Sequence, residues 1–82
     1  MKLPVFRNLQ RQCSIEEMEN ALNFLEIYAE SPAVKDDERE VIGEMISNVC
    51  GAMEMKAMVD AGMSERDAAN DFMKRVLGSI DQ

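Results

Sequence analysis

The sequence predicts an all-α domain, a compact bundle of one short N-terminal helix plus three longer helices, spanning residues 1–82 as a single unit. Three observations carry that reading. Apolar residues recur at three- and four-residue spacing along the chain. Helix-capping side chains stand ahead of those runs at Ser14, Asp37 and Ser64. Helix stops follow them at Ser31-Pro32 and Gly62. No strand-like alternation of useful length occurs, and there is no internal repeat or low-complexity tract. At 82 residues, 46% of them hydrophobic, the chain has globular composition and the length of one domain. Such a domain buries about 60% of the surface its unfolded chain exposes, enough for one modest core.

The first helix starts around Pro4, whose missing N–H is harmless in a first turn. Val5, Phe6 and Leu9 give it one apolar side, and it ends near Arg11. Ser14-Ile15-Glu16-Glu17 is a capping box, with the Ser side chain accepting from an orphan N–H and Glu17 reaching back. The second helix runs from there to about Glu30. Its apolar side is Ile15, Met18, Ala21, Leu22, Leu25, Tyr28 and Ala29. Phe24 and Ile27 lie on the flanks and widen that face. Pro32 ends the helix by disfavouring α geometry at Ser31.

Asp37 and Glu40 form the next cap pattern, and the acids at 36, 37, 38 and 40 suit the positive end of a helix dipole. The third helix is expected to reach Ala61, about 24 residues and roughly 36 Å. Gly62 is its left-handed stop, with Met63 folding back onto Met58. Ser64 caps the fourth helix, with Asp67 at the third helical position. Ala69, Phe72, Met73, Val76, Leu77 and Ile80 share one face of it. Asp71 and Arg75 form an i,i+4 pair on the other.

The third helix carries the most information. Its main stripe is Ile42, Ile46, Val49, Cys50, Met53 and Ala57. The opposite side begins polar, with Glu40, Glu44, Ser47 and Asn48, and later gains Met55, Met58 and Val59. The second half is thus apolar most of the way round, as in a helix covered on more than one side. Gly43, Ser47 and Gly51 form a row of small residues at i+4 spacing. An interior Gly costs roughly 1 kcal/mol relative to Ala, a loss that close approach of another helix offsets. Two readings are open. The second half is the middle of the chain's own core, or Gly43, Ser47, Gly51, Met55 and Met58 form a self-association surface. The second is preferred, because so short a chain has few elements with which to cover that face, and a two-fold dimer would cover it with a second copy.

Composition removes several chemistries. Histidine is absent, so there is no His general base, no Ser-His or Cys-His nucleophile pair and no His metal ligand. Cys13 and Cys50 form no CxxC and read as small buried hydrophobes. No apolar run approaches the roughly 20 residues of a membrane span, and no apolar stretch of a signal peptide follows Lys2. A cytoplasmic protein without membrane contact is the expectation. The formal charge is −7, unevenly spread: residues 1–13 hold Lys2, Arg7 and Arg11 and no acid. An acidic body repels phosphate backbones, so nucleic acid is a poor partner. The basic arm reads as a solvated face, with an acidic surface of the same chain as the alternative contact.

Four motifs in the sequence have plainer readings. Met53, Met55 and Met58 have the spacing of a soft copper site, but Met53 and Met55 diverge on a helix, and core methionine is the better account. Residues 56–77 resemble a helix-turn-helix, yet Glu65, Asp67 and Asp71 deny its second helix a basic footprint. Acyl carrier proteins share this length and acidity, but Cys13-Ser14-Ile15 lacks the Asp of their attachment site and lies too near the start. Carboxylate magnesium sites of nucleotide pyrophosphohydrolase bundles use an EExxE helix against an ExxD helix. Here Glu16-Glu17-Met18-Glu19 stands without an ExxD, so a solvated acidic face is preferred. Clustering of Glu40 and Glu44 against Glu16 or Glu19 would favour the enzyme.

Three segments carry a family resemblance: residues 1–5 (MKLPV), 41–48 (VIGEMISN) and 72–81 (FMKRVLGSID). Together they make the chain resemble a short bacterial all-helical family of unknown function over essentially its whole length. The resemblance implies a small stand-alone cytoplasmic protein with no assigned activity. The residue reading favours a non-enzymatic interaction or structural module, self-associating as a homodimer or binding a further protein, with no cofactor, metal or catalytic residue. The alternative is a small carboxylate-based, magnesium-dependent hydrolase or other enzyme.

Overall fold

The computed structural model describes residues 3–80, and the side chains of residues 3–75. Four helices follow one another: α1 (Leu3–Gln12), α2 (Ile15–Ala29), α3 (Asp36–Asp60) and α4 (Glu65–Ile80). Among the described residues there is no strand. The long α3 is the axis of the assembly, and α1, α2 and α4 each pack against it. The bundle is flattened, with extents of 42 × 32 × 17 Å and a radius of gyration of 13.8 Å. A compact chain of this length has about 12 Å.

Local chemistry sets most helix ends where the sequence places them. At α2, the Glu17 N–H donates to Ser14 Oγ at 3.0 Å and the Ser14 N–H donates to Glu17 Oε1 at 2.8 Å, a reciprocal capping box. At the end of α3, Gly62 has φ 108°. The Met63 N–H donates to the Met58 carbonyl and the Gly62 N–H to that of Val59, the two bonds of a Schellman turn. Ser64 Oγ accepts from the Asp67 N–H at 3.1 Å. Arg75 lies 3.8 Å from Asp71 and 3.6 Å from Glu54 of α3.

The start of α3 differs from expectation. Asp37 is its second helical residue rather than its cap, and the N-cap is Lys35. A lysine side chain cannot accept, so only half of a box forms: the Lys35 N–H donates to Glu38 Oε1 at 3.0 Å. The earlier start puts Asp36, Asp37 and Glu38 in the first turn, where the helix dipole favours them. It also brings Arg39 over the preceding connection, where its guanidinium donates to the carbonyls of Ala29, Ser31 and Val34. The Ala29 carbonyl, which the end of α2 leaves orphaned, is thereby satisfied.

The core is built from Phe6, Met18, Ala52, Met55, Ala68, Ala69 and Phe72, one or more residues from every helix. Phe6 and Phe72 meet edge to face with centroids 5.2 Å apart. Half-buried Leu3, Leu9, Cys13, Ile15, Val49, Met53, Met58, Val59 and Met73 pack around them. Two members of the expected α3 stripe, Cys50 and Ala57, are exposed. They lie on a side of α3 over which no helix closes, so Cys50 is not the buried hydrophobe anticipated. The expected α4 face is met by Ala69, Phe72 and Met73; Val76, Leu77 and Ile80 lie outside the described side chains.

Candidate interaction face

The residues of the expected self-association row have separate fates. The close approach that small residues permit does occur, but at Gly51 alone and from within the chain. A Cβ on Gly51 would lie 2.6 Å from Cζ of Phe6 and 2.8 Å from its Cε2. The Phe6 ring therefore seats in a notch that only glycine leaves open. Met55 is 0% exposed in the same core, and Met58 packs half-buried against it. Gly43 and Ser47 are exposed, and nothing stands within 4 Å of a Cβ on Gly43. The five residues do not form one free surface.

What seals that half of α3 is α1. Val5 and Leu9 border Met45, Asn48 and Val49, Phe6 covers Gly51, and the Lys56 ammonium donates to the Gln10 carbonyl at 3.3 Å. The register advances together, so α1 and α3 run in the same direction. The far end of α1 is latched to α4. Arg11 Nε donates to Glu65 at 2.8 Å, and Gln10 Nε2 donates to the same carboxylate. Arg11 thus takes the acidic contact on its own chain that the charge distribution offered as an alternative. The bond from Arg11, aided by Gln10, holds the Glu65 carboxyl at about 2, well below the usual range, and the same bond raises Arg11. Glu17 is lowered as well, by its bonds at the Ser14 cap.

Among the described residues, the contacts of α1 with α3 begin near Met45, and the turns of α3 ahead of it pack against α2. Large apolar side chains stand exposed there: Val41 at 57% and Met45 at 47%. On the second half of α2, Phe24 is 64% and Tyr28 51% exposed, with ring centroids 6.1 Å apart. Helices α2 and α3 run antiparallel about the Glu30–Lys35 connection. Their covered sides, Met18, Leu22 and Leu25 on one and Ile42, Ile46 and Val49 on the other, face each other. At about 100° per residue, Phe24 and Tyr28 then project on the same side of the hairpin as Val41 and Met45. That side also carries α1. The result is an apolar shelf that ends against the start of α1.

At the corner where shelf meets α1 there is a groove of about 210 Å³, lined by Val5, Leu9, Met45, Asn48 and Val49. Its one polar lining residue is Asn48, and the Oδ1 atom of Asn48 is buried with no hydrogen-bond partner. Sequence reasoning placed Asn48 on a solvated side and Tyr28 in the core face. A second α3 stripe was legible in Val41, Met45, Asn48 and Ala52 at three- and four-residue spacing, but only the position of α1 tells which part of it is covered.

Among the described residues, no three Cys, Asp or Glu side chains converge as metal ligands would. Glu40 and Glu44 accordingly form no such group with Glu16 or Glu19, the arrangement that would have favoured the enzyme. No described helix is long and apolar enough to cross a membrane. The chain matches a family of unknown function (DUF6952) over residues 1–81, in line with the resemblance carried by its terminal and central segments. No curated protein and no solved structure matches it.

Proposed function

The chain belongs to that family of unknown function, and from the geometry of its surface we propose that it is a non-enzymatic protein-interaction module that self-associates. The observation that carries this reading is the shelf formed by Phe24, Tyr28, Val41 and Met45, four large apolar side chains about half or more exposed on one side of a hairpin. Contiguous apolar surface rimmed by charge marks an interaction site, and its removal from water is favourable by roughly 25 cal/mol per Å². A second copy supplies the same surface, so an isologous two-fold contact covers both shelves at once. Each copy carries −7, so mutual repulsion opposes the contact. The driving force is apolar, and association is expected to strengthen with salt.

The test is sedimentation velocity of the wild type and of Val41→Glu across a concentration series. The wild type should move from monomer towards dimer as concentration rises. Val41→Glu, at a position open to solvent, should keep its helical signal and remain monomeric. A wild type that stays monomeric at the highest concentration sinks the reading.

A further inference from the structure

We infer that Met45 is an oxidation site that controls the shelf: a peroxide that converts its thioether to the sulfoxide releases the self-association proposed above. This inference rests on that reading and adds its regulation. Methionine makes up eight of the 82 residues, and the fold sorts the described ones by access. Met18 and Met55 are buried, and Met53, Met58 and Met73 pack half-buried around the core. Met45 and Met63 stand exposed, at 47% and 37%. Met63 belongs to the turn after α3, roughly 25 Å along from Met45 at 1.5 Å per residue. Of the two, only Met45 lies on the shelf, beside Val41. Cys50 is another exposed sulfur, but around α3 it is turned about 140° from Met45, so thiol oxidation falls on a different side of the helix.

The step itself is a two-electron oxygen transfer. A sulfur lone pair of Met45 attacks one oxygen of the peroxide. An S–O bond forms and the O–O bond breaks. The second oxygen leaves as hydroxide, takes the proton of the transferred oxygen and departs as water. Sulfur is oxidised by two electrons and the peroxide is reduced by two. The product is polar where the thioether was apolar, and methionine sulfoxide reductases reverse it. In a contact built on Phe24 and Val41 the new oxygen lies against hydrocarbon, and a two-fold contact carries it twice. The monomer tolerates the change, because Met45 is about half open to water there. The coupling runs both ways: a dimer that covers Met45 shields it from the oxidant, while Met63 in the same chain serves as the unshielded reference.

The experiment treats the full chain, in a Cys13→Ala, Cys50→Ala background, with limiting hydrogen peroxide and reads each sulfoxide by peptide mass spectrometry. Met45 and Met63 should oxidise ahead of Met18 and Met55. Raising the protein concentration through the dimer transition should slow Met45 severalfold relative to Met63. In sedimentation equilibrium the oxidised protein should show a dissociation constant at least about tenfold higher, restored by a methionine sulfoxide reductase. Met45→Leu conserves volume and apolar character, so it should dimerise and ignore the peroxide; Met63→Leu should respond as its parent does. Circular dichroism of each sample confirms that the fold is kept. A dimer that the peroxide leaves intact, or that it releases equally in Met45→Leu, overturns the Met45 switch and leaves self-association standing. A chain that never dimerises, treated or untreated, overturns both.

Discussion

The two halves of α3 are made of similar residues and live in different surroundings. From Gly51 onward one side of the helix is sealed: Gly51, Ala52 and Met55 are buried, with α1 laid over them and α4 returning alongside. Before Gly51 it is covered by α2 and, from Met45 on, only bordered by Val5 and Leu9 of α1, and Val41 and Met45 stay about half exposed. Each half has a glycine and a methionine on an apolar flank. The difference between Gly51 and Gly43, or between Met55 and Met45, is therefore set by the reach of the ten residues of α1 and not by the local sequence. A face that the chain covers itself is structural, and a matching face it leaves bare is available for recognition.

The sharpest test of that contrast replaces the two methionines in turn. Met55→Ala empties a fully buried site and should destabilise the fold by about 2–5 kcal/mol, read from urea unfolding. Met45→Ala should change monomer stability by less than about 0.5 kcal/mol while weakening self-association. Equal losses at the two sites would erase the distinction between the halves.

The glycines give the next largest effect, with opposite signs. Gly51→Ala drives a Cβ into the Phe6 ring, and overpacking of this kind costs about 1–3 kcal/mol, more than the helix-propensity gain of about 1 kcal/mol offsets in full. Gly43→Ala meets open space and should stabilise by roughly 0.5–1 kcal/mol. Thermal melts of both variants check the signs; stabilisation by Gly51→Ala would mean that the Phe6 notch is not formed.

The smallest effect concerns the latch between α1 and α4. The folded-state pKa of Glu65 lies at about 2, below its ordinary 4.5. The folded state thus binds fewer protons than the unfolded chain between those values. The stabilisation is complete above about pH 4.5 and is lost as pH falls towards 2. Glu65→Gln should melt below the wild type at neutral pH, and the gap should close over that acid window. A gap that stays constant with pH would remove the Arg11–Glu65 pair from the account of the enclosed half.

These contrasts also separate what was legible in the sequence from what was not. The Ser14–Glu17 box, the Gly62 turn and the Ser64 cap act between residues no more than five positions apart, so their residue types announce them. The cap of α3 was misplaced by two residues because several acids in a row, Asp36, Asp37 and Glu38, all suit a first turn. What chose among them includes Arg39, whose partners belong to the connection before the helix. Gly43, Ser47 and Gly51 together suggest close approach of another helix, and at Gly51 the neighbour is Phe6, 45 positions away. No local pattern distinguishes a ring of the same chain from one of another. For the same reason Cys50, which continues the apolar stripe, is exposed, while Asn48, on the polar side, lines a groove.

The seat of Phe6 on Gly51 also bears on the order in which the chain assembles. A helix of ten residues is below the length, about 12–15 residues, at which isolated helices hold together in water. Segment α1 is therefore helical by virtue of docking. Its amides open when the ring leaves the notch, without waiting for the α2–α3 hairpin to come apart. The hairpin, closed by a six-residue connection, forms over short sequence distances, whereas α1 must close a loop of some forty residues to find its seat. By this reasoning the seat of α1 on α3 is expected among the last contacts to form, and it is the contact that covers Gly51.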